Sequence, residues 1–327
     1  MQTDLTEGLL QNFAVKRTES YQKLKNEALE GSSIDKIFEY IAKEGKQLSK
    51  GKEVPDKAHT FTFTRNANII NYNAYESSIS QWSLTAGKTV TKNEDTDVTV
   101  IYPSPNNKKY YVGHSDGKLD ELDPTSMQVK STINLGSHVL TVITDEKVVY
   151  VSLGSGKIIY FPFEDMTLEA LQTLEEGDGS SYMSMLKLSK DKAFLVGYVD
   201  IDEKEGFFVY NLAENKRIWQ GVLDLSPNNI REDPNKLLHI SDDCLNLYAR
   251  SANNKGVTMY SLFDGSVVAF NNEMHTNYIF SFVVTKDGKT VITTGKDKKI
   301  KVWDWVKKKL ITTLLGHSDS IESLVLS

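Results

Sequence analysis

Two short strings in the sequence have the residue types that bind phosphate in nucleotide-binding loops. They are AGKT at Ala86–Thr89 and DGKT at Asp287–Thr290. A phosphate-binding loop needs a further glycine five positions before the glycine of its Gly-Lys pair, so that backbone amides can surround the phosphates. Those positions hold Trp82 and Val283. Both strings are therefore predicted to be hairpin turns, and so is the Gly-Ser-Gly at Gly154–Gly156, where a tight turn needs positive φ.

Candidate metal ligands and nucleophiles are dispersed along the chain. The acidic stretch Asp200–Glu205 lacks the glycine and the distal glutamate of a calcium loop, so it is predicted to be a solvated hairpin tip. The single cysteine, Cys244, is predicted to be an inert, buried thiol in an apolar second strand. The histidines lie far apart, mostly at equivalent places in the repeat described below, and lack zinc-ligand spacing. They are His59, His114, His138, His239, His275 and His317. We therefore expect no metal, no cofactor and no small-molecule substrate.

The charge balance disfavours a general receptor for polyanions. Lys plus Arg total 38 and Asp plus Glu total 44, which gives a net charge of −6. Two lysine runs, Lys296–Lys301 and Lys307–Lys309, leave a local contact with an acidic partner or nucleic acid open. Lysines on an exposed outer strand more often prevent edge pairing, and no stacking aromatics are interleaved here.

The chain lacks the features of a secreted or membrane-inserted protein. Its first residues lack a basic region followed by an apolar one, and no apolar run approaches the roughly 20 residues that span a bilayer. One cysteine excludes an internal disulfide framework and fits a reducing compartment. We therefore expect an intracellular, cytoplasmic protein.

The main regularity is a unit of three predicted strands that repeats six times after His59. The third strand of each unit has an aromatic or large apolar residue at a fixed place. These residues are Trp82, Leu122, Phe161, Tyr210, Tyr260 and Trp303. Their separations are 40, 39, 49, 50 and 43 residues, and the two longest intervals contain the insertions DIDEKEG and SPNNIREDP. A period of about 40 to 45 residues is typical of a four-stranded propeller blade.

The sixth unit resembles a WD40 repeat. Its sequence, HTNYIFSFVVTKDGKTVITTGKDKKIKVWD, matches the pattern of that family in order and spacing and includes the dipeptide Trp303-Asp304. The resemblance implies a hydrogen-bonded set of His275, Thr293, Asp297 and Trp303 within the blade. Such a set gives each buried polar atom a partner. We interpret it as structural, although a His-Asp pair beside a threonine also resembles a catalytic triad.

The other units depart from the WD40 pattern. The second has Asp116 in the turn but Leu122 in place of tryptophan. The third has Ser155, and the fifth has Asn254, where the turn aspartate is expected. Some blades must therefore be held by packing without the polar set.

The resemblance extends from about His59 to the end of the sequence. The last eleven residues, HSDSIESLVLS, repeat the opening of the sixth unit. For residues 58–327 we predict an all-β propeller of WD40 type, with six blades and the first strand of a seventh, incomplete at its C-terminus. We expect the remaining blade or blades to follow Ser327, because an open ring leaves strand edges unpaired.

Residues 1–57 are predicted to form an α-helical N-terminal module and a linker. Apolar residues at three- and four-residue steps predict one helix over about residues 5–30, and a second that begins after Ser32 or Ser33. The second helix aligns Ile34, Phe38 and Ile41, which we predict to contact a partner. Two short helices bury little apolar area alone, so their faces must pack on the propeller, a second copy or another protein.

The resemblance implies an assembly platform rather than an enzyme. We expect a non-enzymatic scaffold in a larger intracellular complex, with other proteins as partners and a cytoskeletal or ciliary association as one conceivable home. One rim of the propeller would display Ser115, Tyr278, Lys296 and Ser318 as a contact surface. The alternatives are a propeller hydrolase with a site in the central channel, and a binder of nucleic acid or other polyanions through the lysine runs.

Overall fold

The computed structural model describes residues 61–63, 68–73, 78–83, 88–93, 95–175, 182–201, 204–222, 236–321 and 323–324. The predicted helical module of residues 1–57, with Ile34, Phe38 and Ile41, lies outside these ranges. In the described residues the regular elements are all β-strands. Within the same ranges, no helix has the length and apolarity needed to cross a membrane.

Six four-stranded antiparallel sheets make up the described structure, and in each one the four strands follow chain order from one edge to the other. The first three sheets contain β1 (Phe61–Phe63), β2 (Asn68–Asn73), β3 (Ser78–Ser83) and β4 (Lys88–Asn93); β5 (Val98–Pro103), β6 (Tyr110–His114), β7 (Lys118–Leu122) and β8 (Val129–Asn134); β9 (Val139–Thr144), β10 (Val148–Leu153), β11 (Ile158–Pro162) and β12 (Gln172–Glu175).

The last three sheets follow the same order. They contain β13 (Tyr182–Leu188), β14 (Phe194–Ile201), β15 (Lys204–Asn211) and β16 (Lys216–Val222); β17 (Leu238–Ile240), β18 (Asn246–Arg250), β19 (Val257–Ser261) and β20 (Val267–Asn271); β21 (Ile279–Val284), β22 (Thr290–Gly295), β23 (Ile300–Asp304) and β24 (Lys309–Leu314). Sheets of four antiparallel strands, repeated in this way, are the blades of propeller folds.

The chain divides into two compact units, each with its own apolar core. One unit contains the described residues up to Lys147 together with Phe163–Glu169, and the other contains Val148–Pro162 and the described residues from Ala170 onward. The first core includes Ile79, Val98, Ile101, Tyr110, Val112, Leu122 and Met127. The second unit has one cluster around Phe194, Phe207, Leu238 and Leu247 and another around Tyr248, Phe282, Val291, Trp303 and Trp305.

The strand register confirms that the six third-strand residues are equivalent. Each lies opposite the first or second residue of the preceding strand. The pairs are Ile69 and Trp82, Tyr110 and Leu122, Val149 and Phe161, Leu195 and Tyr210, Leu247 and Tyr260, and Val291 and Trp303. From Leu122 to Trp303 these side chains are buried or partly buried in the apolar cores. Their fixed spacing in the sequence therefore reflects one packing position in every blade.

The turn between the first and second strands follows one pattern in four sheets. A serine or threonine hydroxyl donates to an Asp or Asn side chain two residues later, as Thr285 does to Asp287 at 2.6 Å. The next residue has positive φ, and in the sixth sheet it is Gly288 at φ 66°. Cys244 occupies this place in the fifth sheet at φ 59°. The prediction that Cys244 lies in a second strand is therefore wrong, because β18 begins two residues later.

The segment after β24 contacts the sixth sheet. The Ile321 N–H donates to the Gly295 carbonyl at 3.4 Å, the Leu324 N–H donates to the Ser281 hydroxyl at 3.2 Å, and Ile321 is buried. None of the described residues after Leu314 belongs to a strand. The predicted first strand of a seventh blade falls partly outside the described residues and stays a prediction.

Candidate functional site

The structure brings His275, Thr293, Asp297 and Trp303 into one hydrogen-bonded set. His275 lies four residues before β21, where its backbone N–H donates to the Lys255 carbonyl at 3.0 Å. Its Nδ1 lies 2.8 Å from Oδ1 of Asp297, and its Nε2 lies 2.8 Å from Oγ1 of Thr293. The Trp303 indole N–H donates to the same Oγ1 at 3.2 Å.

The partners in this set assign its protons. An ionised Asp297 only accepts, so the proton on the imidazole lies on Nδ1, and Nε2 accepts from the Thr293 hydroxyl. Burial lowers the pKa of His275, although the hydrogen bond and charge of Asp297 oppose this effect. Burial alone would raise the pKa of Asp297, but hydrogen bonds from His275 and from the Thr276 amide lower it below its usual value. The folded set is therefore a neutral imidazole beside a carboxylate.

The set has triad residue types but no accessible nucleophile. Thr293 is 0% exposed and His275 is 3% exposed. The Thr293 oxygen has the indole of Trp303 and the imidazole of His275 as partners, and the Lys301 carbonyl lies 3.5 Å away. A reacting carbonyl would have to lie about 3 Å from that oxygen, in space that these groups fill. The arrangement fixes the loop before β21 to strands β22 and β23.

The turn between the second and third strands shows that one residue was matched wrongly from the sequence. Asp297 accepts from the Lys299 N–H at 3.3 Å and is followed by Lys298 at φ 64°. In the fifth sheet it is Asn253 that accepts from a backbone N–H two residues later, at 3.1 Å, while Asn254 has φ 62°. The counterpart of Asp297 is therefore Asn253 rather than Asn254. The error arises because the turn is longer in the fifth sheet, where residues 251–256 separate β18 from β19, than in the sixth, where residues 296–299 separate β22 from β23.

The second sheet contains another polar set, which the sequence analysis did not identify. The Nε2 of His114 lies 3.3 Å from Oδ2 of Asp120, and Nδ1 lies 3.0 Å from Oγ1 of Thr96. The Thr132 hydroxyl donates to Oδ1 of Asp120 at 2.5 Å. Burial alone would raise the pKa of Asp120. The hydrogen bonds from His114 and Thr132 outweigh this effect, so the pKa lies below its usual value.

This second set occurs in a sheet that departs from the WD40 pattern. Leu122 replaces the tryptophan, and a charged residue enters the third strand two positions earlier, at Asp120. A buried carboxylate needs hydrogen-bond partners, and this requirement could have indicated a polar set around Asp120. Asp116, the turn aspartate of this sheet, accepts from the Lys118 N–H and pairs with its ammonium group at 2.8 Å.

Three of the histidines do not occupy equivalent places in the sheets. His114 ends a second strand, His239 lies within the first strand β17, and His275 precedes a first strand. The prediction of equivalence is therefore wrong for these three. No group of metal-ligating side chains forms within the described ranges, which exclude residues 202 and 203 of the acidic hairpin. The hairpin itself is seen, because Asp200 pairs with Glu205 across β14 and β15.

Three of the four predicted rim residues lie together at one end of the sixth sheet. The Lys296 N–H donates to the Tyr278 carbonyl at 2.9 Å, and the Lys296 ammonium lies 5.9 Å from the centroid of the Tyr278 ring. The Lys298 ammonium donates to the Ser318 carbonyl at 2.8 Å. Ser115 belongs to the other compact unit and makes the corresponding backbone bond, to the Asp97 carbonyl at 2.9 Å.

Comparison with known proteins agrees with this geometry. A family model for the WD domain, G-beta repeat (WD40) matches residues 268–304, which run from β20 to the end of β23. The family model therefore identifies one WD40 repeat in the chain, and the hydrogen-bonded set lies inside it. No curated protein matches the sequence.

Two solved structures share the fold at low sequence identity. A chain in the crystal structure of a mitotic checkpoint complex is 14% identical, with 83% of this chain and 82% of that chain covered and a TM-score of 0.61. A crystal structure of the computationally designed Ika8 protein is 16% identical, with coverages of 84% and 80% and a TM-score of 0.61.

Proposed function

We propose that the protein is a non-enzymatic scaffold that recruits other proteins into a cytoplasmic complex. The carrying observation is the set of His275, Thr293, Asp297 and Trp303. The polar groups of this set hydrogen-bond to one another and hold the sheet together. The neighbouring rim residues Lys296, Lys298 and Ser318 are exposed. A rigid frame with exposed turn residues is suited to recognition. A cytoskeletal or ciliary setting remains part of this proposal.

The surface that we propose for recruitment is the rim surface of Tyr278, Lys296, Lys298 and Ser318. Lys296, Lys298 and Ser318 are exposed, and the nearby carboxylate of Asp297 is engaged with His275. This end of the sheet therefore presents positive charge beside an aromatic ring. Arrangements of this kind favour acidic protein surfaces, because complementary charge raises the rate of association and orients the partner.

The structural comparison supports an assembly role only at the level of the fold. A chain of the mitotic checkpoint complex has the same fold, and that chain was crystallised as part of a complex. The predicted N-terminal module, with Ile34, Phe38 and Ile41, would supply a second contact by placing an amphipathic helix in a groove.

A charge reversal at the rim tests the proposal. Lys296→Glu should remove a subset of the proteins that copurify with the tagged full chain, whereas Lys289→Glu should retain them. Lys289 is also exposed and lies in the turn at the opposite end of the same sheet. Quantitative mass spectrometry of crosslinked complexes from cells provides the readout.

Two outcomes would count against the rim surface. Identical sets of proteins with both variants would exclude it as the recruiting surface. Retention of the wild type on heparin that Lys296→Glu abolishes, with no change in copurifying proteins, would favour a polyanion binder instead.

A further inference from the structure

The edge strand β24 presents one side without a strand partner. It is the last strand in the order β21-β22-β23-β24, and among the strands that the structure describes it pairs with β23 alone. An edge strand has a row of N–H and C=O groups that can pair with another chain. The edge of the sixth sheet is therefore a potential template for strand addition.

Side chains along this edge are apolar and exposed. Leu310 is 45% exposed, Ile311 58%, Leu314 50% and Leu315 74%. Of the apolar residues in the edge strand of the second sheet, β8, Val129 is exposed at 39% and Ile133 is buried. The β24 strand thus exposes several neighbouring apolar side chains, whereas β8 exposes one, and single exposed apolar residues are normal on a protein surface.

Charge and proline, two of the features that usually prevent edge pairing, do not occur within the apolar run of β24. Residues 310–315, LITTLL, contain no charge and no proline, and three of them are β-branched. The register shift between Val302 and Trp303 leaves Ile311 without a partner in the ladder, and Ile311 is exposed. A short, uncharged and β-branched segment of this kind pairs readily with another strand.

Charge is confined to one end of the edge. Lys307, Lys308 and Lys309 precede the apolar run. Among the described residues, Lys307 alone of the three pairs with a carboxylate, that of Asp304 at 3.3 Å. The Lys308 ammonium lies 5.2 Å from the centroid of the Phe270 ring on β20. Phe270, Val267 and Val268 are themselves about half exposed, so the apolar surface continues onto the fifth sheet.

We infer that the β24 edge, defined as Lys307–Leu315, binds an extended segment of a partner protein that adds a fifth strand to the sheet. The segment has apolar side chains at alternate positions and carboxylates near one end. Its backbone pairs with the open side of β24, its apolar residues cover Leu310, Ile311 and Leu314, and its carboxylates meet the lysines. This inference rests on the proposed scaffold function and gives it a second surface.

The charge pattern favours another protein over a second copy of this chain. Two β24 edges aligned in parallel would bring the lysine triplets together. Antiparallel alignment would place each triplet beside Leu314–Gly316 of the other copy, where no carboxylate lies. Residues 1–57 lack the strand-like alternation that such a segment needs.

A synthetic peptide tests the inference directly. The probe is a fluorescein-labelled peptide with alternating valine and threonine and two glutamates at one end, added to the full chain. We expect saturable binding by fluorescence anisotropy, weakened by added salt, and slower hydrogen exchange at the amides of residues 309–315. The same peptide with a central proline should not bind, because it lacks a donor for the ladder.

Matched variants localise the site. Ile311→Asn should weaken peptide binding by about tenfold, since it removes an apolar contact at the centre of the edge. Val129→Asn, on the edge of the second sheet, should leave it unchanged. Both residues are exposed, so thermal melts should show that each variant folds.

The inference fails if the proline peptide binds equally well, or if exchange slows elsewhere. It also fails if the β24 amides that do not pair with β23 are already protected in the free protein, whether the protein is dimeric or monomeric by sedimentation, because a second copy or another segment of the chain would then cover the edge. Lys296→Glu lies outside the β24 edge and should not affect peptide binding. Failure of the rim surface and failure of the edge are thus separable.

Discussion

At the residue scale, the stability of the sixth sheet depends on buried hydrogen bonds that meet at the Thr293 hydroxyl. Thr293 accepts from the indole of Trp303, and its hydroxyl is the partner of the His275 Nε2. Each of these atoms is removed from water, so a missing partner is not replaced by solvent. The set is therefore more sensitive to the loss of one member than its modest number of bonds suggests.

Thr293→Val keeps the shape of the side chain and removes its oxygen. We expect the free energy of unfolding to fall by about 2 to 3 kcal/mol, because the indole N–H and the imidazole nitrogen are both left buried and unpaired. Chemical denaturation measures the change. Thr312→Val on β24 is the control, since Thr312 is exposed, and a similar loss in both variants would contradict this account.

One buried imidazole, that of His275, and one partly buried imidazole, that of His239, make stability depend on pH. Burial, with the nearby Lys187 ammonium, lowers the pKa of His239 from 6.5 to about 4. Burial also lowers the pKa of His275. Below about pH 6.5 the unfolded chain therefore binds protons that the folded chain does not. The free energy of unfolding should fall as pH decreases from 6.5 toward 4 and stay level above that range.

His239→Gln isolates one contribution. At about pH 5 the wild type should have lost about 1 to 2 kcal/mol through His239 relative to neutral pH, and the variant should lose correspondingly less. Denaturant unfolding at several pH values measures this slope. His317→Gln, at an exposed histidine, should keep the slope of the wild type, and an unchanged slope in His239→Gln would disprove the assignment.

At the element scale, one turn geometry recurs between the first and second strands. The residue with positive φ in this turn is Gly288 in the sixth sheet, but it is Lys192 in the fourth, at φ 64°. A side chain other than glycine is strained in this region of backbone conformation. Consistent with one common geometry, the Gly288 N–H donates to the Thr285 carbonyl at 2.8 Å, and the Lys192 N–H donates to the Ser189 carbonyl at 3.0 Å.

Lys192→Gly should raise the free energy of unfolding by about 0.5 to 1 kcal/mol, because relief of the positive-φ strain exceeds the entropy cost of glycine. Lys286→Gly, in the corresponding turn of the sixth sheet but at ordinary φ, should lower stability by a similar amount. Both lysines are exposed. Thermal unfolding compares them, and a decrease for both variants would contradict the strain argument.

At the scale of the whole molecule, net charge and exposed apolar edges act together. The net charge is −6 at neutral pH and the sequence pI is about 5.6. In the part of the chain that the structure describes, nine of the thirteen exposed large apolar residues lie from Phe263 to Leu315. When net repulsion between molecules vanishes, these edges are free to associate.

Solubility should therefore be lowest near pH 5.6, and Ile311→Lys should reduce aggregation there by placing a charge on the β24 edge. Static light scattering over a pH series measures this effect. Val129→Lys adds the same charge on another edge. Equal improvement by the two variants would indicate that net charge, rather than the β24 edge, controls association.

The sequence by itself determined the repeat, the strand order within each unit and the position of the third-strand apolar residue. These features follow from local alternation and from a period that every blade must repeat. It also placed His275, Thr293, Asp297 and Trp303 in one set, because the sixth unit is close to the family pattern. Residue positions that depend on turn length were predicted less well, as the wrong assignments of Asn254 and Cys244 show.

Only the tertiary structure decided which polar residues meet in the second sheet. His114 and Asp120 are six residues apart, but their partners Thr96 and Thr132 come from other segments, and no local pattern records that proximity. The exposure of β24 is likewise invisible in the sequence, since LITTLL would be equally typical of a buried strand. Whether an apolar strand is covered depends on which elements pack beside it, and that is a property of the folded chain.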